Sequence, residues 1–234
     1  MDRLVVMQKI LVINSKGGCG KTTIATNLAS YFATQSLETA LLDFDPQGSS
    51  IRWLNQRPKS GPDIYGVHVA SRKNNTGVTR SFQMRVPPQT DRMIIDAPAG
   101  ITGHELIDLI RLVDTIIIPV LPSSIDIHAV TRFIEEVLVV GKVRQRGLNV
   151  AVVANRVKKN TLTYRALERF LKTLKLPFIT TFRDTQNYVH AIERGLGIHE
   201  MWDKRTDNDK AQWRPLTRWL EEVESIETKQ KIAR

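Results

Sequence analysis

The chain has 234 residues, of which 41% are hydrophobic and 25% charged, ordinary values for a globular protein with ample length for a full core. No apolar run approaches the roughly 18–20 residues that a spanning helix needs, and the N-terminus lacks a signal peptide's cleavage site. The single cysteine, Cys19, excludes an intramolecular disulfide and a cysteine-ligated iron–sulfur cluster within one chain, which fits a cytoplasmic location.

In chain order, Lys9–Ile13 is a short apolar run that predicts a buried strand, and Ile24–Phe32 predicts a helix. Between them runs Lys16-Gly17-Gly18-Cys19-Gly20-Lys21-Thr22-Thr23. Strand, glycine turn, then Gly-Lys-Thr opening a helix is the context of a phosphate-binding loop. Glycines let several backbone N–H groups converge on one anion, and the helix N-terminus adds partial positive charge. Lys21 is expected to neutralise the β- and γ-phosphates, and the Thr22 hydroxyl to ligate Mg²⁺.

Leu37–Asp43 predicts a second buried strand, ending in Asp43-Phe44-Asp45-Pro46-Gln47-Gly48. A carboxylate pair at the C-terminal end of a parallel strand lies where α/β sheets bind ligands. The stretch Ile51–Val86, with its glycines, prolines and the charged run Arg72-Lys73-Asn74-Asn75, is expected to form insertion and switch loops, with a short strand near Val67–Ala70. His68 is expected to be an ordinary half-buried strand residue. Arg92–Asp96 predicts an apolar strand closing on an aspartate, a Walker B pattern in which Asp96 holds a magnesium-bound water.

Thr115–Val120 predicts a fourth core strand and Ile125–Val140 a helix. His104 and His128 have no partners at metal-ligand spacing and are expected to be structural or surface residues. Val150–Ala154 predicts a fifth strand ending at Asn155-Arg156, and Pro177–Thr181 a sixth. Strands alternating with helices predict an α/β fold, a mostly parallel, doubly wound sheet covered on both faces, in a single domain spanning residues 1–234.

The formal charge of +10 is localised. Gly141–Arg183 holds eleven Lys and Arg against one acid, Glu168, while the remainder of the chain is balanced. Leu162–Lys175 predicts a helix with an apolar face at Leu167, Phe170, Leu171 and Leu174 and a basic stripe at Arg165, Arg169 and Lys172. Arg156, Lys158 and Lys159 precede it and Lys175 follows. Such a surface attracts nucleic acid first and acidic lipid second, through phosphates and without base readout. A final helix near 209–227 carries the stripe Leu216, Trp219, Leu220, Val223 and Ile226. Its polar face is rich in glutamate, which anionic lipid repels, so the stripe is expected to pack on the domain.

The boxes Lys-Gly-Gly-x-Gly-Lys-Thr at Lys16–Thr22, Asp-x-Asp-Pro-Gln-Gly at Asp43–Gly48 and Asp-Ala-Pro at Asp96–Pro98 resemble those of the ParA/MinD family of deviant Walker A ATPases. The resemblance covers nearly the whole chain and implies a P-loop NTPase using ATP and Mg²⁺. It implies that the loop from Gly17 to Thr23 binds the phosphates, that Lys16 reaches across an ATP-dependent homodimer, and that Asp45 positions the attacking water. It implies further that Asp43 supports the magnesium and phosphate-loop network and that Asn155 faces the adenine edge. Small ParA-type members use the nucleoid as a matrix and place late basic residues on DNA, a position matched here by Lys204 and Arg205. The expected function is a cargo-positioning ATPase, bound non-specifically to DNA and stimulated by a ParB-like or other cargo-bound adaptor. A MinD-like membrane ATPase and a nucleotide-gated binding module are the alternatives.

Overall fold

The computed structural model describes residues 7–69 and 85–232. Seven strands form one sheet: β1 (Gln8–Val12), β2 (Thr39–Asp43), β3 (Tyr65–His68), β4 (Arg92–Asp96), β5 (Thr115–Val120), β6 (Asn149–Val157) and β7 (Phe178–Arg183). Their spatial order is β3-β2-β4-β1-β5-β6-β7, and every neighbouring pair is parallel. The helices are α1 (Lys21–Thr34), α2 (Ser49–Asn55), α3 (Gly103–Arg111), α4 (Ser124–Val140), α5 (Val143–Arg146), α6 (Leu162–Thr173), α7 (Asn187–Glu193) and α8 (Asp207–Ile232).

The strands are apolar along their length because both faces are covered. β1 shows this directly. Leu11 and Ile13 enter one apolar layer with Leu106, Phe133, Ile134 and Leu167, under α3, α4 and α6. Ile10 and Val12 enter the other with Ile24, Leu28, Phe32, Trp213 and Leu220, under α1 and α8. Period-two alternation on the central strand therefore divides the molecule into two cores.

Register fixes where the polar strand ends meet. Val12 of β1 and Asp43 of β2 both pair with Asp96 of β4. The segments following β1, β2 and β4 consequently leave the sheet side by side at its C-terminal edge, where open α/β sheets bind ligands.

Two sequence expectations shift. The region expected to be loops contains α2, anchored by buried Trp53, whose Nε1 donates to the Leu196 carbonyl at 3.1 Å, and β3, which ends at His68 and so lies two residues earlier than expected. Its charged run from Arg72 to Asn75 lies outside the described residues. β6 continues to Val157, so Asn155 and Arg156 belong to the strand instead of following it.

The apolar face of α8 is spent on the sheet. Leu216 and Leu220 are fully buried and Val223 nearly so, while Trp219 is half-buried; the Ile226 side chain lies outside the described set. Polar contacts reinforce this packing. Gln8 Nε2 donates to the Leu220 carbonyl at 2.9 Å, and Arg92, at the start of β4, makes a two-pronged pair with Glu224 at 2.8 and 2.5 Å. The same guanidinium lies 5.2 Å from the centre of the Phe32 ring.

Among the described residues, no helix is long and apolar enough to cross a membrane. Leu220→Ala should cost about 2–4 kcal/mol of stability in denaturant unfolding, the range for emptying a fully buried leucine site. An unchanged midpoint would show that α8 is not part of the folded core.

Candidate nucleotide site

The loop from β1 to α1 wraps the start of the helix. Gly20 adopts φ +93°, and a Cβ there would lie 2.0 Å from Asn155 Nδ2. Glycine is required both by the backbone angle and by the approach of β6. Lys21 is buried, and its ammonium donates to the Lys16 carbonyl at 3.0 Å, closing the loop on itself. The Cys19 thiol donates to the same carbonyl at 3.3 Å, and burial pushes its pKa up, so it serves as a small packed group. The Lys16 backbone N–H donates to Asn14 Oδ1 at 3.0 Å, which fixes the loop's entry.

Thr22 and Asp96 meet. The Thr22 hydroxyl donates to Asp96 Oδ2 at 2.8 Å. Asp96 Oδ1 is buried and has no hydrogen-bond partner. An unsatisfied carboxylate oxygen in the interior is costly, and burial, with the Asp43 charge adding to it, pushes the Asp96 pKa up to about 7. This is the electrostatic condition a dication relieves. Thr22 and Asp96 together with phosphate oxygens would make a donor set that fits Mg²⁺. Bound there, Mg²⁺ would supply charge neutralisation at the phosphates.

Asp43 is held by backbone amides. Oδ1 accepts from the Asp45 N–H at 3.0 Å, and Oδ2 accepts from the Ser50 and Ile51 N–H groups at 3.0 and 3.1 Å. It is fully buried and caps the start of α2. Its influence on the metal position is the charge it places beside Asp96, and its hydrogen bonds set the loop that carries Asp45.

Asp45 lines the cleft. Its Oδ1 accepts from the Gln47 N–H at 2.9 Å, and its other oxygen makes no hydrogen bond among the described residues. His68, read from sequence as an ordinary strand residue, lies against this loop. Its Nε2 is 3.1 Å from the Asp45 carbonyl, and its ring would lie 3.0 Å from a Cβ at Gly48. The sequence held no signal for that contact, because it depends on β3 pairing with β2 in the register Asp43 to His68.

Asn155 also lines the cleft. Nδ2 donates to the Cys19 carbonyl at 2.8 Å and Oδ1 accepts from the Arg156 N–H at 3.0 Å. The side chain braces the phosphate loop and keeps one Nδ2 hydrogen and one Oδ1 lone pair beyond these two bonds.

The cleft is open, about 460 Å³, a size that suits a nucleotide. The phosphate loop, Asp45 and Gln47 line one part, and Arg183, Asp184, Thr185, Gln186 and Tyr188 another.

The basic residues lie on both sides of the edge strand β7. Arg165, Arg169 and Lys172 lie on the exposed side of α6, whose Leu167 and Leu171 are buried in the α3–α4 layer. Lys204 and Arg205 precede α8, which packs on the opposite face of the sheet. Lys159 and Lys175 are exposed. Arg156 and Lys158 each lie 3.6 Å from Asp184, and Arg205 pairs with Asp203 at 2.5 Å. Arg156 additionally lines the nucleotide cleft, a position that sequence alone did not suggest.

Residues 10–198 match the CobQ/CobB/MinD/ParA nucleotide-binding domain. The chain belongs to that family. It is 30% identical over 197 residues to maintenance of carboxysome distribution protein A of Halothiobacillus neapolitanus, covering 82% of this chain and 87% of that protein. A shorter stretch of 44 residues is 57% identical to the chromosome-partitioning ATPase Soj of Treponema pallidum, covering 18% of this chain and 17% of that protein. Among solved structures, an ATP complex of Cyanothece McdA superposes with a TM-score of 0.69 at 18% identity over 90% of this chain and 96% of that one. The MinD cell division protein of Aquifex aeolicus superposes at 0.64, also at 18% identity, with the same coverage of each chain. These superpositions establish the P-loop NTPase fold of the family for the seven-stranded sheet.

Asp96 carries a stability prediction with a definite sign. Its folded pKa lies above the ordinary 3.8, so the folded state binds the proton more tightly than the unfolded state does. Without metal, its contribution to stability should therefore fall as pH rises from about 4 to 7. Asp96→Asn should flatten that dependence and unfold at an equal or higher temperature at pH 8, while abolishing Mg²⁺-dependent hydrolysis. A lower unfolding temperature at pH 8 would contradict the cost assigned to the buried charge.

Proposed function

We propose that the protein is an ATPase of the ParA type that positions a cargo by switching between nucleotide states. The observation that carries this reading is that Lys21, Thr22 and Asp45 line one cleft and Asp96 accepts from Thr22 directly behind it, all at the ends of three adjacent parallel strands. The phosphate loop and Lys21 hold the β- and γ-phosphates, Thr22 and Asp96 hold Mg²⁺, and Asp45 orients water for attack on the γ-phosphate. Phosphoryl transfer asks little more of a protein than positioning and charge stabilisation, and this site has groups for both.

In this reading ATP pairs two subunits and Lys16 reaches the partner's nucleotide. The homodimer binds DNA non-specifically through Arg165, Arg169, Lys172 and Lys175 on one side of the sheet and Lys204 and Arg205 on the other. Arg156 and Lys158 contribute less, because Asp184 offsets them. The protein would reside in the cytoplasm on the nucleoid, and a cargo-bound adaptor would stimulate hydrolysis and release it. The relatives named for carboxysome distribution and for chromosome partitioning differ in cargo and have positioning in common, which favours a function at that level. A membrane-binding role has less support, since the apolar face of α8 that it would use is packed in the core.

Asp45→Ala should retain ATP binding and lose hydrolysis by at least about a hundredfold, the scale of losing a positioned acid–base group. Parental turnover in that variant would remove Asp45 from the mechanism.

DNA binding should strengthen with ATP and weaken with salt, with a slope of roughly −0.9 per phosphate contacted, whatever the sequence. The double variant Arg165→Ala with Arg169→Ala should flatten that slope equally on unrelated duplexes while dimerising normally. ATP-dependent sedimentation with anionic liposomes, unaccompanied by ATP-dependent DNA binding, would overturn this reading in favour of the membrane one.

A further inference from the structure

The proposed chemistry uses the ends of β1, β2 and β4, but the polar row at the C-terminal edge of the sheet runs one strand further. His68 closes β3 and pairs in register with Asp43 of β2, which pairs in turn with Asp96 of β4. Residues in register across parallel strands point to the same face, and alternation along each strand identifies that face. Val67, Leu42 and Ile95, each one residue earlier, enter the apolar layer under α3, α4 and α6. His68, Asp43 and Asp96 therefore face the other way, towards α1 and α2. Asp96 meets Thr22 there and Asp43 caps α2, which leaves His68 as the member of the row with no part yet in the site.

His68 reaches the loop that carries Asp45. Its Nε2 lies 3.1 Å from the Asp45 carbonyl. A carbonyl oxygen only accepts, so this nitrogen carries the proton. The same carbonyl accepts from the Gly48 N–H at 2.9 Å, the Asp45 N–H donates to Asp43 Oδ1, and Asp45 Oδ1 accepts from the Gln47 N–H. Those bonds come from β2 and from the loop itself, and they fix the shape of the turn. The bond from His68 comes from the neighbouring strand, and it fixes the turn relative to the edge of the sheet. Gly48 permits the approach. Its φ is +63°, and a Cβ there would come within 3.0 Å of His68 Cε1. A carboxylate that orients water is aimed by the backbone that bears it, and a displacement of about 1 Å at such a group can cost a hundredfold in rate.

We infer that His68 is a positioning residue for hydrolysis: its Nε2–H, donated to the Asp45 carbonyl, holds the Asp45 carboxylate at the angle from which it orients water. The inference rests on the reading of Asp45 as the water-orienting group and extends the site to β3, the edge strand of the sheet.

The test separates aim from binding and from folding. ATP turnover, ATP affinity and the urea unfolding midpoint would be measured on the parent, His68→Leu, His68→Asn and His68→Gln. A glutamine amide can place an N–H near the position of Nε2, whereas leucine has no donor and an asparagine amide falls short of the carbonyl. The expected result is a fall in kcat of about tenfold in the Leu and Asn variants, the scale of one hydrogen bond, with ATP affinity within about twofold of the parent and most of the turnover recovered in the Gln variant. Parental turnover in the Leu and Asn variants would overturn the inference. So would an equal loss in all three variants, or a loss of ATP affinity in step with turnover, either of which would mark His68 as packing for the loop. Should the Leu variant not fold, the Asn and Gln pair decides on the same criteria. A parent that binds ATP without turning it over would instead fail the hydrolytic reading of the site, and the inference with it.

Discussion

A buried aspartate with one satisfied and one unsatisfied oxygen sets the terms for the rest of this molecule. Asp96 is nearly solvent-free, accepts one hydrogen bond from Thr22 and faces the Asp43 charge from the adjacent strand. An arrangement of two buried carboxylates is expensive in isolation. It persists because β4 and β2 are locked in register between hydrophobic layers that supply the stability, and it becomes favourable when positive charge arrives.

The loops around that aspartate are held by a chain of backbone contacts. Asp43 fixes the loop bearing Asp45, and His68 packs on its far side. Asn155 grips the phosphate loop at the Cys19 carbonyl, where Gly20 is the residue that lets β6 approach. Each contact joins a strand end to a loop, so the cleft inherits the rigidity of the sheet. The C-terminal helix enters the same network from below, through Asp209 and Gln212 on the strand end at Arg183. Its burial against β1 and β4 at the other end, through Leu220 and Glu224, makes it a strut connecting opposite edges of the sheet.

Charge is arranged on a different principle. The basic excess is spread around the β7 side of the sheet, on α6 over one face and before α8 over the other, and part of it is neutralised by Asp184, Asp203 and Asp209. A count along the chain locates the excess in sequence but misses the acids that fold back on it, since pairing is a tertiary property.

The sequence by itself determined the elements with local causes. The phosphate loop needs glycines and Gly-Lys-Thr between a strand and a helix. β1, β4 and β5 are uninterrupted apolar runs, and α6 shows a 3.6-residue period. Parallel packing on both faces then follows, because such strands have no polar side to expose. Thr22, Asp45 and Asp96 were legible as candidate site residues, Thr22 in the helix start after the glycine turn, Asp45 just past the end of β2 and Asp96 closing β4. What tertiary structure alone decided was which polar groups meet. Asp43 meets backbone amides, Asn155 meets the phosphate loop, and His68 meets the Asp45 carbonyl. Arg183 found Asp209 across 26 residues. Hydrogen bonds of that kind depend on register and helix placement set by the whole core, and a short polar motif carries no record of them.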